Sequence, residues 1–258
     1  MKKSLTRRLS GNRRPLFLYK GANYHQAPNP LKPMWENNEI LETVCDTVER
    51  KIRRHHEDFR MPLRAEYIED ALSQGFKKAG LQNDWYGGDH GKGADIFMPE
   101  DVNCDLTEKG EVTGISVKSN VKRQLDPIRV DISGSRLTRF DEADLDSEEV
   151  VNRMINYLAN ERNYDWYALS TRRKPTEKRY KEMNYEEYEI YMIPADIIDP
   201  TAYEWEEDND GWKATIEKGF HLRINESLSM QFWIDGIPYE MIEKYSIRTI
   251  RIDNVNEI

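Results

Sequence analysis

The chain has only two cysteines in 258 residues, Cys45 and Cys104, far apart and with no Cys-x-x-Cys partner. That scarcity excludes a disulfide framework and a zinc ribbon, and a reducing, cytoplasmic setting is the expectation. No run of eighteen apolar residues exists, so no membrane span is expected. The N-terminus lacks the apolar stretch of a secretory signal. No Gly-x-Ser-x-Gly surrounds any serine, including those of Ser133-Gly134-Ser135, which excludes a nucleophile elbow. Internal repeats and low-complexity tracts are also missing.

Acid is missing from the first 35 positions. Lys2, Lys3, Arg7, Arg8, Arg13, Arg14, Lys20 and Lys32 all precede the first carboxylate, Glu36, although the chain as a whole carries −9. A basic arm, residues 1–35, therefore precedes an acidic body. Such an arm suits a polyanion, which it would bind by counterion release. A solvated terminus and an Arg-rich organelle-targeting segment have the same composition.

What is present is a chain of amphipathic segments. Ile40, Leu41, Val44, Val48 and Ile52 predict a helix over 36–58, after a loop at 29–33. A second helix is predicted over 62–79, with Pro62 in its first turn, Ile68, Ala71, Leu72, Phe76 and Ala79 as its stripe, and Gly80 ending it. Strands are expected at 94–98 and 111–120, paired as a hairpin, with a third at 127–133. A helix opens at Ser147 and runs to about Asn160, followed by strands at 166–170 and 188–193. Beyond an acidic loop around Glu204–Asp210 come strand-like pieces at 213–217, 220–224, 229–234 and 246–252. Helices and strands in this order predict an α/β fold, of α+β type, with a mixed sheet flanked by helices. The expected organisation is the arm, a core domain over 36–200 and a β-rich C-terminal extension over 201–258 packed on it.

The residues that carry chemistry stand on two of the predicted strands. Gly93-Ala94-Asp95-Ile96-Phe97 follows a Gly-rich loop, and Gly114-Ile115-Ser116-Val117-Lys118-Ser119-Asn120 follows an acidic connection. Ser116 and Lys118 are two apart on a strand and share a face, while Val117 points to the other. An acid heading one strand can hold a divalent cation, and a lysine on the next can act on a water beside it. Taken singly, Asp95 also reads as a strand-start acid and Lys118 as a solvated edge lysine.

In these residues and their element order, positions 62–171 resemble the PD-(D/E)xK nuclease superfamily, the restriction-endonuclease-like fold. Asp95 matches the motif aspartate and Lys118 the motif lysine, while Ser116 stands where the family usually has Glu or Asp. The resemblance implies a helix, a three-stranded meander, a helix and a further strand. It also implies a catalytic group of Asp95, Ser116, Lys118 and a helix carboxylate, either Glu66 or Glu69. Mg²⁺, with Mn²⁺ able to substitute, would be held by Asp95, that glutamate and the carbonyl of Val117. The implied activity is DNA phosphodiester hydrolysis, most like that of a type II restriction endonuclease acting on double-stranded DNA as a homodimer. Ser116 brings no charge, so a helix Glu compensates, or metal affinity is weak, or the scaffold binds DNA without cutting it. A structure-specific repair nuclease is a third reading.

Basic residues flank the motif. Lys122, Arg123, Arg136 and Arg139 follow the lysine strand, and Arg172, Arg173 and Lys174 follow the strand at 166–170. In a nuclease these would line the DNA cleft and hold phosphates; otherwise they form solvated faces. His55, His56 and His90 lack the spacing and the ββα pattern of a His-Asn-His nuclease.

Overall fold

The computed structural model describes residues 31–58, 63–85, 94–99, 112–120, 129–132, 136–137, 147–161, 164–173, 185–209, 211–225 and 230–253. The chain is mixed α/β. Helices α1 (Lys32–Glu36), α2 (Asn38–Asp58) and α3 (Ala65–Lys78) lead into strands β1 (Asp84–Trp85), β2 (Ile96–Pro99) and β3 (Val112–Asn120). Strands β4 (Arg129–Ile132) and β5 (Arg136–Leu137) come next, then α4 (Ser147–Asn156), which runs on into a π-helical turn, Tyr157–Glu161. The remainder is β6 (Trp166–Arg173), β7 (Tyr185–Pro194), β8 (Glu206–Asp208), β9 (Gly211–Glu217), β10 (Phe220–Asn225), β11 (Met230–Pro238), α5 (Tyr239–Ile242) and β12 (Ser246–Asp253).

Two six-stranded sheets result. The first has the order β1-β2-β3-β6-β7-β12, and only β3 and β6 among its neighbours run parallel. Between those two strands the chain leaves the sheet through β4, β5 and α4, the long crossover that a parallel pair needs. The second sheet has the order β4-β11-β10-β9-β8, with β5 also pairing β11.

Both faces of the first sheet are covered, and that explains its sequence. Ile115, Val117, Trp166, Ala168, Ile190 and Met192 pack against Val48, Ile52, Ile68, Leu72 and Phe76 of α2 and α3. Tyr167, Leu169, Tyr191 and Ile193 face the other way, against Val151 and Met154 of α4, Leu158 of the π-helical turn and the inner side of the second sheet. Strands buried on both faces read as continuous apolar runs, which is why 166–169 and 190–193 do. Helices α2 and α3 close up at Gly75, where a Cβ would stand 3.1 Å from the Val44 carbonyl oxygen.

Several boundaries differ from the sequence expectation. Lys32–Glu36 is a short helix rather than loop, and α3 begins at Ala65; Pro62 lies outside the described residues. Gly80, at φ +80°, ends that helix as expected. The strand expected at 127–133 forms as Arg129–Ile132 but joins the second sheet, pairing with β11. Asp84–Trp85, a strand too short and polar for periodicity to detect, pairs with β2, so that the meander is β1-β2-β3. Within the expected acidic loop, Glu206–Asp208 pairs with β9. Strands also cross the boundary drawn at residue 200, for β12 completes the first sheet while β4 and β5 complete the second. The basic arm, apart from residues 31–35, lies outside the described residues. Among the described residues no helix is long and apolar enough to cross a membrane.

Candidate active site

The site forms where the first sheet splits. β2 pairs with β3 only from Pro99↔Val112 to Ile96↔Ile115. β3 continues from Ser116 to Asn120 and, among the described residues, pairs there with β6 alone. The Asp95 amide still donates to the Ile115 carbonyl at 2.9 Å, closing the ladder. One residue pair further on, the Asp95 side chain takes the place of a backbone acceptor. Its Oδ2 accepts the Val117 amide at 2.6 Å. A buried amide left without an acceptor is costly, so this charge-assisted bond contributes about 2 kcal/mol while fixing the carboxylate in the notch.

The lysine lies in the same notch. Lys118 Nζ donates to the Val117 carbonyl at 3.2 Å and stands 3.9 Å from Asp95 Oδ2. Its side chain is only 16% exposed. Burial pushes its pKa below the ordinary lysine value, opposed by the charges of Asp95 and Glu69. A lysine so placed is closer to the neutral form that accepts a proton. Ser116 is fully buried, and its hydroxyl lies 3.5 Å from Asp95 Oδ2, the outer limit of a hydrogen bond. Val117 points its side chain into the helix-side core, 2% exposed, while its amide and carbonyl face the notch.

The two helix glutamates separate. Glu66, in the first turn of α3, is exposed. Glu69 is 5% exposed, and Trp85 on β1 donates its Nε1–H to Glu69 Oε2 at 3.0 Å. Desolvation raises the Glu69 pKa, the Trp85 hydrogen bond lowers it, and the charges of Asp95, Glu66 and Lys118 act on it in turn. Glu69 thus feels both Asp95 and Lys118. The segment that delivers Trp85 is itself anchored. Asn83, 2% exposed, accepts the Ser73 hydroxyl at 2.7 Å and donates to the carbonyls of Ser73 (3.2 Å) and Leu81 (3.1 Å).

Asp95, Lys118 and the Val117 carbonyl therefore gather in one notch, Ser116 lines it without adding charge, and Glu69 is near enough for its charge to act on Lys118. Two carboxylates and a carbonyl suit a hard divalent cation such as Mg²⁺, which keeps several waters and takes phosphate oxygens from its substrate. Among the described residues no group of three or more His, Cys, Asp or Glu side chains converges.

The basic positions are a different matter. Lys122, Arg123, Arg139 and Lys174 lie outside the described residues. Arg136 opens β5, paired with Gln231 in the second sheet, and Arg173 ends β6 opposite Glu187. Arg172 corrects the expectation of a DNA-facing loop. It lies within β6, paired with Tyr188 of β7, and is 4% exposed, so its guanidinium is interior. The histidines are structural neighbours of that region: His56 Nε2 is 2.7 Å from the Tyr188 hydroxyl, and His55 packs against Tyr67. Trp85 is the site residue the sequence did not point to. Its one signal is a tryptophan beside charge in the turn-like stretch Asn83-Asp84-Trp85.

No protein-family model, curated protein or solved structure matches this chain.

Proposed function

We propose that this protein is a Mg²⁺-dependent DNA endonuclease with a restriction-endonuclease-like core, most similar in kind to a type II restriction enzyme. The observation that carries the reading is the notch itself. An aspartate fixed by a backbone amide and a desolvated lysine 3.9 Å from it share one opening at the sheet split, and a buried glutamate on the preceding helix lies near enough for their charges to act on it. The element order supports it as well: helix α3, the meander β1-β2-β3, helix α4, and a strand β6 parallel to β3.

In this reading Asp95, Glu69 and the Val117 carbonyl hold the cation, Mg²⁺ or Mn²⁺. When bound, it would polarise the scissile phosphate and acidify a water. Lys118 orients that water and takes up or shares its proton, which its lowered pKa favours. Its ammonium form also offsets charge on the phosphate in the transition state. Glu69 supplies the second carboxylate that Ser116 does not.

Double-stranded DNA is the proposed substrate. A homodimer would set two such notches against the two strands of a palindrome. The test is digestion of unmodified phage DNA by the purified protein with Mg²⁺, with Mn²⁺ and with EDTA. Discrete, cation-dependent fragments are expected. Nicks or structure-dependent cutting would point to a repair nuclease. Binding without cleavage under any cation would replace the assignment with a non-cutting DNA-binding protein, with Ser116 as the lesion.

A further inference from the structure

We propose that Trp85 is a positioning residue of this site: its indole N–H aims the Glu69 carboxylate at the cation position beside Asp95. The assignment rests on the nuclease reading above.

Trp85 does not occupy its place for the usual reason. It is 40% exposed, and among the described residues only it and Tyr67 are large hydrophobic side chains with that much exposure. A tryptophan on a two-residue edge strand that keeps 40% of its surface in water gains less from the hydrophobic effect than a core one. What it has is one donor and no acceptor, a match for a carboxylate and for nothing that needs a proton removed. That donor lies 3.0 Å from Glu69 Oε2.

Glu69 needs such a partner. It is buried on α3, while Asp95 stands just before β2 and Lys118 on β3. A buried carboxylate without a donor turns toward water, which removes it from a cation. The indole holds Oε2, which leaves Oε1 as the oxygen a cation would take. The indole is rigid and enters from a segment pinned by the buried Asn83, so the direction of the bond is set by tertiary structure. Partners that orient metal ligands in this way typically change metal affinity by about 10–100-fold when removed.

The experiment compares four full-length proteins: wild type, Trp85→Phe, Glu69→Gln, and Trp85→Phe in the Glu69→Gln background. Phenylalanine keeps an aromatic ring on the edge strand and loses only the donor, and glutamine keeps an acceptor for the indole. Mn²⁺ binding is measured by calorimetry without DNA, and the Mg²⁺ dependence of cleavage is measured alongside. Trp85→Phe is expected to weaken Mn²⁺ binding about tenfold and to raise the half-saturating Mg²⁺ similarly. Raising Mg²⁺ should restore part of the lost cleavage, because the defect lies in cation binding. In the Glu69→Gln background the same change should alter binding by less than about twofold, because its route is already gone. Wild-type Mn²⁺ affinity in Trp85→Phe overturns the assignment, as does an equal loss in both backgrounds. A wild-type protein that neither binds Mn²⁺ nor cleaves rejects the nuclease reading itself, and the role of Trp85 falls with it.

Discussion

The Val117 amide donates to Asp95 Oδ2 at 2.6 Å, across the point where β2 stops and β3 runs on. One carboxylate thereby does two jobs. It satisfies a backbone donor on an unpaired strand edge, and it stands fixed beside Lys118. The jobs are separable, because the first needs only an acceptor and the second needs charge.

Asp95→Asn tests that separation. The asparagine carbonyl can still accept from Val117, so folding should cost only about 1 kcal/mol, the difference between a charged and a neutral acceptor. Cleavage should fall on the order of a thousandfold, as the anionic ligand is lost. Thermal melting and initial cleavage rates on one DNA substrate check both halves. A folded Asp95→Asn protein cutting at wild-type rate would remove Asp95 from the chemistry.

Glu66 and Glu69 differ by burial, and their substitutions should differ accordingly. Glu66→Ala is expected to leave cleavage within about twofold, since an exposed first-turn glutamate contributes a few tenths of a kcal/mol through the helix dipole. Glu69→Ala should lower the rate about a hundredfold and raise the Mg²⁺ requirement about tenfold. The measurement is a Mg²⁺ titration of each variant.

Lys118→Met removes a buried ammonium and keeps most of its volume. Desolvation lowers the Lys118 pKa, which marks the charge as a cost to the fold, and Asp95 retains its bond to Val117. Denaturant unfolding should show equal stability or a gain of up to about 1 kcal/mol. Cleavage should be abolished. A stability loss above about 2 kcal/mol would assign Lys118 a structural role instead.

Cys45 gives a pH signature away from the site. Burial pushes its thiol up to about 11, against the lowering effect of Arg248, and the thiol donates to the Ile247 carbonyl at 3.3 Å. A raised folded pKa stabilises the fold below the unfolded value of 9.0 and ceases to as pH climbs through about 11. Up to roughly 3 kcal/mol is therefore expected to be lost over that window. Unfolding followed from pH 8 to pH 11 should show this slope in the wild type and a flatter one in Cys45→Val. Peptide mapping after iodoacetamide treatment at pH 8 should find Cys45 unmodified in native protein.

Much of the fold was legible because its signals are local. The apolar stripe from Ile40 to Ile52 predicts α2 within two residues, and Gly80 marks the end of α3 through a backbone angle that glycine adopts without strain. The runs at 166–170 and 188–193 read as buried strands because both of their faces are covered. Arg129–Ile132 shows the limit of such reading. Its alternation predicts a strand correctly, but alternation does not say which sheet it joins, and pairing with β11 joins positions more than a hundred residues apart.

The same division runs through the site. The sequence by itself determined the residue types: Asp95 at the head of a strand, Lys118 two residues beyond Ser116, and glutamates on the preceding helix. Periodicity alone put Ser116 and Lys118 on one face. Only the tertiary structure decided that β2 ends early, leaving the Val117 amide for Asp95, that Glu69 is buried while Glu66 is exposed, and that Arg172 is interior. It also brought Trp85 to Glu69. The physical reason is that strand pairing and burial are set by contacts between distant segments, whereas helix stripes, turns and side-chain parity follow from neighbours along the chain.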